Sequence, residues 1–261
     1  MLGLSASPEG ASALSCPQVL SALSFLLSDP VEPVSSEASL VLVNLSSSPS
    51  ACTTILSLQP PIVPVIFRLM QEKRGSKVKL AEKASMLISN LSREQTAARE
   101  IHSQMVKAGI HIGQVVDLLC QEGEEPLPYL GPTLSNLSQL GEVRTELLIE
   151  KQGIVQRLLP FTEYTKSHVA RGGVVGCLRN LSFSPASHPW LMGPKVDLVV
   201  RLVLPLAGPT PDDLTEEEVE ALPLDLQYLD DDKKVEEDLD IRTMLLETLN
   251  QLCATRYNSR C

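Results

Sequence analysis

Over most of this sequence leucine, isoleucine, valine and alanine return at every third or fourth position, and the runs are separated by serine, glycine and proline. That spacing gives each run one apolar face, the mark of an amphipathic helix. Pro17 opens a helix through Leu20, Leu23, Leu26 and Leu27, which Asp29-Pro30 ends. Ser35-Ser36-Glu37 opens the next. A short helix over about 50–58 stops at Pro60-Pro61, because proline clashes with the preceding turn. A second follows with Ile62, Val65, Ile66 and Leu69 on one face; Gly75-Ser76 turns the chain, and a longer helix over about 77–91 buries Leu80, Ala84, Leu87, Ile88 and Leu91.

The same grammar continues. Ser92 and Gln95 have the spacing of a capping box. The helix they open carries Ile101, Met105 and Val106 and stops at Gly109, a residue suited to the left-handed C-terminal position. Val115, Val116, Leu118 and Leu119 mark the next helix, and a third over about 128–137 is expected to kink at Gly131-Pro132. Further helices are expected near 142–151, 155–161 and 166–181. A turn around His188 to Leu191 and a helix over about 196–206 come next, then an interruption over roughly 209–240, then a helix over 241–252. Residues 1–15, rich in serine, alanine, glycine and proline, read as a disordered lead-in to a helical domain over 16–261.

One phrase closes the longest helices. It stands at Asn44-Leu45-Ser46, Asn90-Leu91-Ser92, Asn136-Leu137-Ser138 and Asn180-Leu181-Ser182, with a degraded copy at Leu249-Asn250-Gln251-Leu252. The asparagines recur after 46, 46 and 44 residues, and the last step is 70. Self-similarity at a fixed period announces a repeat architecture. Three helices per unit at a period near 45, with units ending near 45, 91, 137, 181 and 252, predict an all-α fold. It is a right-handed superhelical solenoid of armadillo/HEAT-type three-helix repeats, with an acidic loop inserted in the last repeat. The phrase also fits the N-glycosylation pattern, but the repeat explains its recurrence without glycans.

Composition narrows the picture. Hydrophobic residues make up 43% and aromatics only 3%, so aliphatic side chains must fill a helix-on-helix core. Met1 to Ser15 lacks the basic start and apolar run of a signal peptide, and no continuous apolar stretch is long enough to span a bilayer. The six cysteines lie far apart, mostly inside apolar helical patterns, which predicts free thiols in a reducing cytoplasmic compartment. The chain ends at Cys261 straight after a third helix, without the polar capping repeat a solenoid requires, the mark of a shortened form.

The formal charge is −10, yet fourteen of the 32 acids lie between Pro209 and Asp240, opposed only by Lys233 and Lys234. The rest of the chain is close to neutral. An acidic loop repels nucleic acid, and the scaffold has no basic stripe to hold phosphates. The loop has two readings: a solvated segment, or a docking segment centred on Glu216, Glu217, Leu226, Tyr228, Asp230 and Asp231. Its apolar residues can equally pin it to its own scaffold, and Thr215 with Glu218 has capping-box spacing.

Catalytic and metal signatures are missing from the pattern. None of the four histidines pairs with another histidine or a cysteine at zinc-ligand spacing, and no Gly-x-Ser-x-Gly elbow appears. Gly172, Gly173 and Gly176 have no Gly-Lys-Ser/Thr after them and no strand before, so close helix packing is expected of them rather than phosphate binding. No enzyme activity, cofactor or metal is expected. Two roles are open to the recurrent asparagines: ordering the junction between units, or bonding an extended peptide's backbone. Asn90, Asn136, Asn180 and Asn250, with Arg171 and Arg179 adding positive charge, are the candidate partner-binding residues on a concave face.

Long strings in the second half carry a resemblance. They are PYLGPTLSNLSQ from Pro128, VQRLLPFTEY from Val155, RGGVVGCLRN from Arg171, HPWLMGPKVD from His188, LPLAGP from Leu204 and LPLDLQYLDDDKK from Leu222. The pattern resumes at Ile241-Arg242-Thr243-Met244-Leu245. The chain thereby resembles the HGH homolog family, also called brain protein sixteen. The resemblance implies an armadillo-type cytosolic adaptor that brings newly made elongation factor 2 to the chaperonin TRiC and associated chaperones. From the charge and apolar patterns no nucleic acid or membrane partner is expected, and a monomer is expected. The positions four before each asparagine, Leu40, Met86, Pro132 and Gly176, lack the tryptophans of nuclear-import adaptors, so a groove of that kind is not expected.

Overall fold

A computed structural model describes residues 1–72, 77–121, 126–209, 214–227 and 229–254, and among these only helices, turns and irregular segments occur. The turn expected at Gly75-Ser76 and the side chain of Tyr228 lie outside the described residues. The chain is an all-α solenoid built from successive helix triplets. The first comprises α2 (Pro8–Leu14), α3 (Pro17–Leu26) and α4 (Glu32–Leu45), preceded by a single-turn helix, α1 (Leu2–Ser5). The second is α5 (Pro49–Leu56), α6 (Ile62–Gln71) and α7 (Val78–Leu91). The third is α8 (Gln95–Lys107), α9 (Ile112–Leu119) and α10 (Leu130–Leu137). The fourth is α11 (Gly141–Leu147), α12 (Ile154–Leu158) with a tighter turn over Leu159–Glu163, and α13 (His168–Leu181). The fifth has α14 (His188–Leu191) and α15 (Leu198–Val203), then α16 (Glu216–Glu220) inside the acidic insert, and closes with α17 (Leu239–Cys253).

The third helix of each unit packs on the third helix of the next, α4 on α7, α7 on α10, α10 on α13 and α13 on α17. The leucine of each Asn-Leu-Ser phrase drives this layer. Leu45, Leu91, Leu137 and Leu181 are all at most 1% exposed, and one hydrophobic core runs unbroken from Leu14 to Leu252. A solenoid of this kind has no separate domain cores, because each unit buries its apolar face on its neighbours.

Several local expectations hold. Gly109 has φ +69°, and Gly109 N and Ile110 N donate to the Val106 and Met105 carbonyls, a Schellman closure of α8. Thr215 and Glu218 form the reciprocal capping box at the start of α16. Three others are corrected. Ser92 does not cap α8; its hydroxyl donates back to the Ser89 carbonyl at 3.0 Å, so it closes α7 instead. Gly131-Pro132 makes no kink, because α10 begins only at Leu130 and Pro132 falls in its first turn, where no intrahelical N–H bond is needed.

The expected disordered lead-in is the third correction. Residues 2–14 are helical, Ser5 and Leu14 are buried, and α1 and α2 both pack on α4. The physical reason is register. In every unit the first helix or helical turn starts three residues after the phrase's serine, at Pro49, Gln95, Gly141 and Pro185, and α2 starts at Pro8, three after Ser5. Leu4-Ser5-Ala6-Ser7-Pro8 copies Leu45-Ser46-Ser47-Ser48-Pro49. Residues 1–15 therefore belong to the repeat series, and low charge hid their buried face.

The glycines of α13 bring helices into backbone contact. A Cβ on Gly173 would lie 2.1 Å from the Gly131 carbonyl carbon and the Pro132 nitrogen, and one on Gly131 would lie 2.6 Å from the Ala170 carbonyl oxygen. On the other side of α13, a Cβ on Gly172 would meet only the flexible end of Ile241, at 3.4 Å. Gly173→Ala is accordingly expected to destabilise the fold by about 3 kcal/mol in urea denaturation, because neither backbone can yield. Gly172→Ala is expected to be neutral or to stabilise by up to ~1 kcal/mol through helix propensity. Equal effects of the two would show that the close approach is not what fixes α13.

Candidate functional site: the ladder face and its acidic strap

The asparagines of the repeated phrase are all at the same place on the third-helix layer, and each reaches one unit back. Asn90 Nδ2 donates to the Val43 carbonyl at 3.3 Å and to Ser46 Oγ at 2.9 Å. Asn136 Nδ2 donates to the Ser89 carbonyl and Ser92 Oγ at 3.2 and 3.0 Å. Asn180 Nδ2 donates to the Ser135 carbonyl and Ser138 Oγ at 2.9 and 3.0 Å. The serine hydroxyl in each case donates to that same carbonyl. A helix leaves its last four carbonyls without intrahelical partners. The phrase therefore supplies, from one unit, the acceptors at a helix end, and from the next unit, the donor that satisfies them.

The row begins at α1. Asn44 Nδ2 donates to Ser5 Oγ at 2.9 Å, and Ser5 Oγ donates to the Leu2 carbonyl at 2.8 Å, so α1 stands in for the last turn of a third helix. A second set of ties sits six residues after the serine. Cys52 Sγ and Arg144 Nη1 donate to the backbone carbonyls of Ser46 and Ser138, and the His188 ring nitrogen bonds that of Ser182 at 2.7 Å. On the first helices, buried Gln104 joins units 2 and 3, donating to the Leu56 carbonyl at 2.8 Å and accepting from Val63 N. Lone cysteine, arginine, histidine and glutamine residues gave no sign of these roles in the sequence; only their fixed distance from the phrase marks the first three.

Asn250 does not continue the ladder. It is exposed, and the fully buried leucine that must follow the ladder residue is Leu252, at 1%, so Gln251 occupies the ladder position. Alignment on the asparagine letter had placed the copy one residue early; burial of the leucine sets the helix register. Contacts agree, since Met244 approaches Gly176 as Gly173 approaches Pro132. Among the described residues no asparagine of the fifth unit reaches Ser182. An ion pair between Arg179 and Glu247 joins α13 to α17 at this end instead, with Arg179 also stacked 5.6 Å from the Phe183 ring centre.

Arg171, expected on a partner-binding face, is engaged within the chain. Its Nε lies 2.7 Å from Glu236 Oε2, its Nη2 donates to Glu236 Oε1 at 3.1 Å, and its Nη1 donates to the Tyr164 carbonyl at 2.9 Å. The two side chains are only 16% and 5% exposed. Glu236 comes from the acidic insert, whose later half straps the edge of units 4 and 5. Glu236 N donates to the Pro205 carbonyl, Lys233 bonds the Leu204 carbonyl and pairs with Glu163, and His168 bonds Asp238 at 2.8 Å. Asp238 caps α17 by accepting from Ile241 N, and that hydrogen bond, with a second from His168, holds its carboxyl below the ordinary aspartate range.

In the earlier part of the insert Glu216 and Glu217 are exposed, Val219 of α16 is buried, Leu226 is half-buried, and Asp225 pairs with Arg201 of α15 at 3.0 Å; Asp230 and Asp231 are exposed. Burial pushes the Cys177 thiol up to about 12 and the Cys120 thiol up to about 11, which leaves both unreactive. Among the described residues no group of three or more metal-ligating side chains comes together, and no helix is long and apolar enough to cross a membrane.

Comparison with known proteins adds a family and a fold. Residues 74–243 match a family model described as a domain of unknown function, DUF383. The protein called HGH1 homolog of Danio rerio is 40% identical over 98% of this chain and 67% of its own length. That of Xenopus tropicalis is 42% identical over 100% and 71%, and that of Homo sapiens 43% identical over 87% and 58%. The chain thus spans between about three fifths and seven tenths of the curated relatives it matches. A designed armadillo repeat protein superposes with TM-score 0.68 at 14% identity, covering 96% of this chain and 90% of its own. Another, solved in complex with the peptide (KR)4, does so at 0.64 and 14%, covering 96% and 89%. At such identity these two fix the fold alone.

Glu236→Ala is expected to lower stability by about 3 kcal/mol, because it leaves the Arg171 guanidinium buried without its carboxylate. Glu217→Ala, at an exposed position of α16, is expected to fall within about 0.5 kcal/mol of the parent. Equal, small effects in a denaturation series would show that the insert is not strapped to the scaffold.

Proposed function

The chain belongs to the family of HGH1 homolog proteins, and from that footing we propose that it is a non-enzymatic protein-binding adaptor that holds a folding client on its third-helix face. By the family resemblance the client is translation elongation factor 2, handed to the chaperonin TRiC in the cytoplasm. The observation that carries the reading is the face itself. Successive third helices expose one side over several units, and the ladder and the α10–α13 backbone contact hold that side in a fixed shape. A pre-formed surface loses little freedom on binding, so many weak contacts along it add to useful affinity. Armadillo-type neighbours include a protein solved with a peptide bound, which supports use of such a scaffold for binding extended chains.

Arg171 is held within the chain by Glu236 and the Tyr164 carbonyl. Arg179 is the more exposed of the two arginines, although paired with Glu247, whereas reversal of Arg171 would break the strap. Affinity capture from cell extract with the intact chain is expected to recover chaperonin subunits together with elongation factor 2. Arg179→Glu is expected to weaken that recovery severalfold without loss of helicity. Capture of stable protein pairs with neither chaperonin nor elongation factor would favour a plain scaffold linking two folded proteins and would sink the folding role.

A further inference from the structure

Midway through the acidic insert lies an apolar edge. Ala221, Pro223 and Leu224 are exposed, and Leu222 and Leu226 beside them are half-buried. Leu224, at 85% exposure, is the barest large apolar side chain among the described residues. Hydrogen bonds hold the edge in place. Leu226 N donates to the Pro223 carbonyl at 2.8 Å and Gln227 N to the Leu224 carbonyl at 3.2 Å. Gln227 Nε2 donates to the Leu222 carbonyl at 2.7 Å and the Glu220 carbonyl at 3.2 Å. Asp225 pairs with Arg201 of α15 at 3.0 Å, and Val219, just before the edge, is buried. An ordered turn that carries a leucine into solvent loses little freedom when a partner covers it.

Charge selects the partner. From Glu216 to Asp232 the chain has eight acids and no base. Glu216, Glu217, Glu218 and Glu220 are exposed before the apolar edge, and Asp230, Asp231 and Asp232 after it. The bases that the insert meets are Arg201, Arg171 and His168, bound to Asp225, Glu236 and Asp238. Its own two are Lys233, bound to Glu163, and exposed Lys234. Among the described residues none of the seven exposed acids just named pairs with a base. We propose that the insert docks a basic amphipathic helix of a partner protein. The apolar face of that helix covers Leu224 and its neighbours, and lysines or arginines flanking the face meet Glu216, Glu217, Asp230 and Asp231. A helix with an apolar stripe between two rows of bases is the complement of an apolar edge with acids on either side of it in the chain. The result has the apolar centre and polar rim of a protein interface. An acidic helix would meet like charges, and a nucleic acid would be repelled for the same reason. This surface is separate from the third-helix face of the adaptor and does not depend on it.

Fluorescence anisotropy of three labelled peptides with the intact chain, at physiological ionic strength, tests the docking surface. The first, (Leu-Lys-Lys-Leu-Leu-Lys-Leu)2, has the apolar face and the bases. The second, (Ser-Lys-Lys-Ser-Ser-Lys-Ser)2, has the bases alone, and the third, (Leu-Glu-Glu-Leu-Leu-Glu-Leu)2, has the apolar face with acids. The expected order of affinity is leucine–lysine, then serine–lysine, then leucine–glutamate. Leu224→Ser, at an exposed position and with folding checked by circular dichroism, is expected to weaken the leucine–lysine peptide about tenfold and leave the serine–lysine peptide unchanged. Glu216→Lys combined with Glu217→Lys is expected to weaken both. Tighter binding of the leucine–glutamate peptide, no binding of the leucine–lysine peptide, or a leucine–lysine affinity that either variant leaves unchanged would each overturn the proposal. A dimer of the parent chain in sedimentation that Leu224→Ser dissociates would give the edge to a second copy and would overturn it as well.

Discussion

A side-chain amide that satisfies the last carbonyl groups of the neighbouring helix is the interaction on which this array depends. Helix ends expose polar groups that cannot be left unpaired beside a buried core, and each third helix here ends beside a fully buried leucine. The asparagine of the next unit and the serine of the same unit both bond one carbonyl, so units 2, 3 and 4 each complete their predecessor. Such a nearest-neighbour tie is repeated at the junctions up to unit 4, and that repetition is why three letters recur through that part of the chain. It also explains α1. Ser5 and the Leu2 carbonyl give Asn44 an acceptor resembling those that Asn90, Asn136 and Asn180 use.

Where the ladder stops, different chemistry takes over. Between units 4 and 5 the ties include the ion pairs of Arg179 with Glu247, Arg171 with Glu236 and Lys233 with Glu163, and a hydrogen bond between His168 and Asp238. Within the insert, Glu236, Asp238 and Asp225 hold it and α17 in place, while Glu216, Glu217, Asp230 and Asp231 stay exposed. The chain's face therefore divides in two. Along the third helices units 1 to 4 are joined by neutral hydrogen bonds and present amide oxygens. Charge pairs join the first and second helices of units 3 and 4, Arg99 to Glu142 and Arg157 to Asp117, and among the described residues reach the third-helix layer only at the last junction, beside α13 and its glycines.

The repeat, the helix triplets and the glycine contacts were legible in the sequence because each leaves a periodic or compositional trace. Periodicity failed where one letter was allowed to stand for a position. Asn250 resembles a ladder residue, but the apolar register belongs to Leu252, and burial outweighs the identity of a polar residue beside it. Ser92 matched a capping box, yet its hydroxyl has a nearer acceptor in the Ser89 carbonyl. The lead-in was misread because serine and alanine at buried positions look like linker composition. Arg171 looked free because its partner lies 65 residues away across the insert, a separation no local pattern reveals.

A double-mutant cycle on neighbouring rungs addresses the ladder most directly. Asn136→Ala and Ser92→Ala, alone and combined, are to be compared by urea denaturation with the pair Asn136→Ala and Ser5→Ala, which lie several units apart. The ladder predicts a coupling of about 1 kcal/mol for Asn136 with Ser92 and additivity for the distant pair. Additivity in both cycles would contradict it, and would mean that the phrase recurs for some reason other than joining one unit to the next.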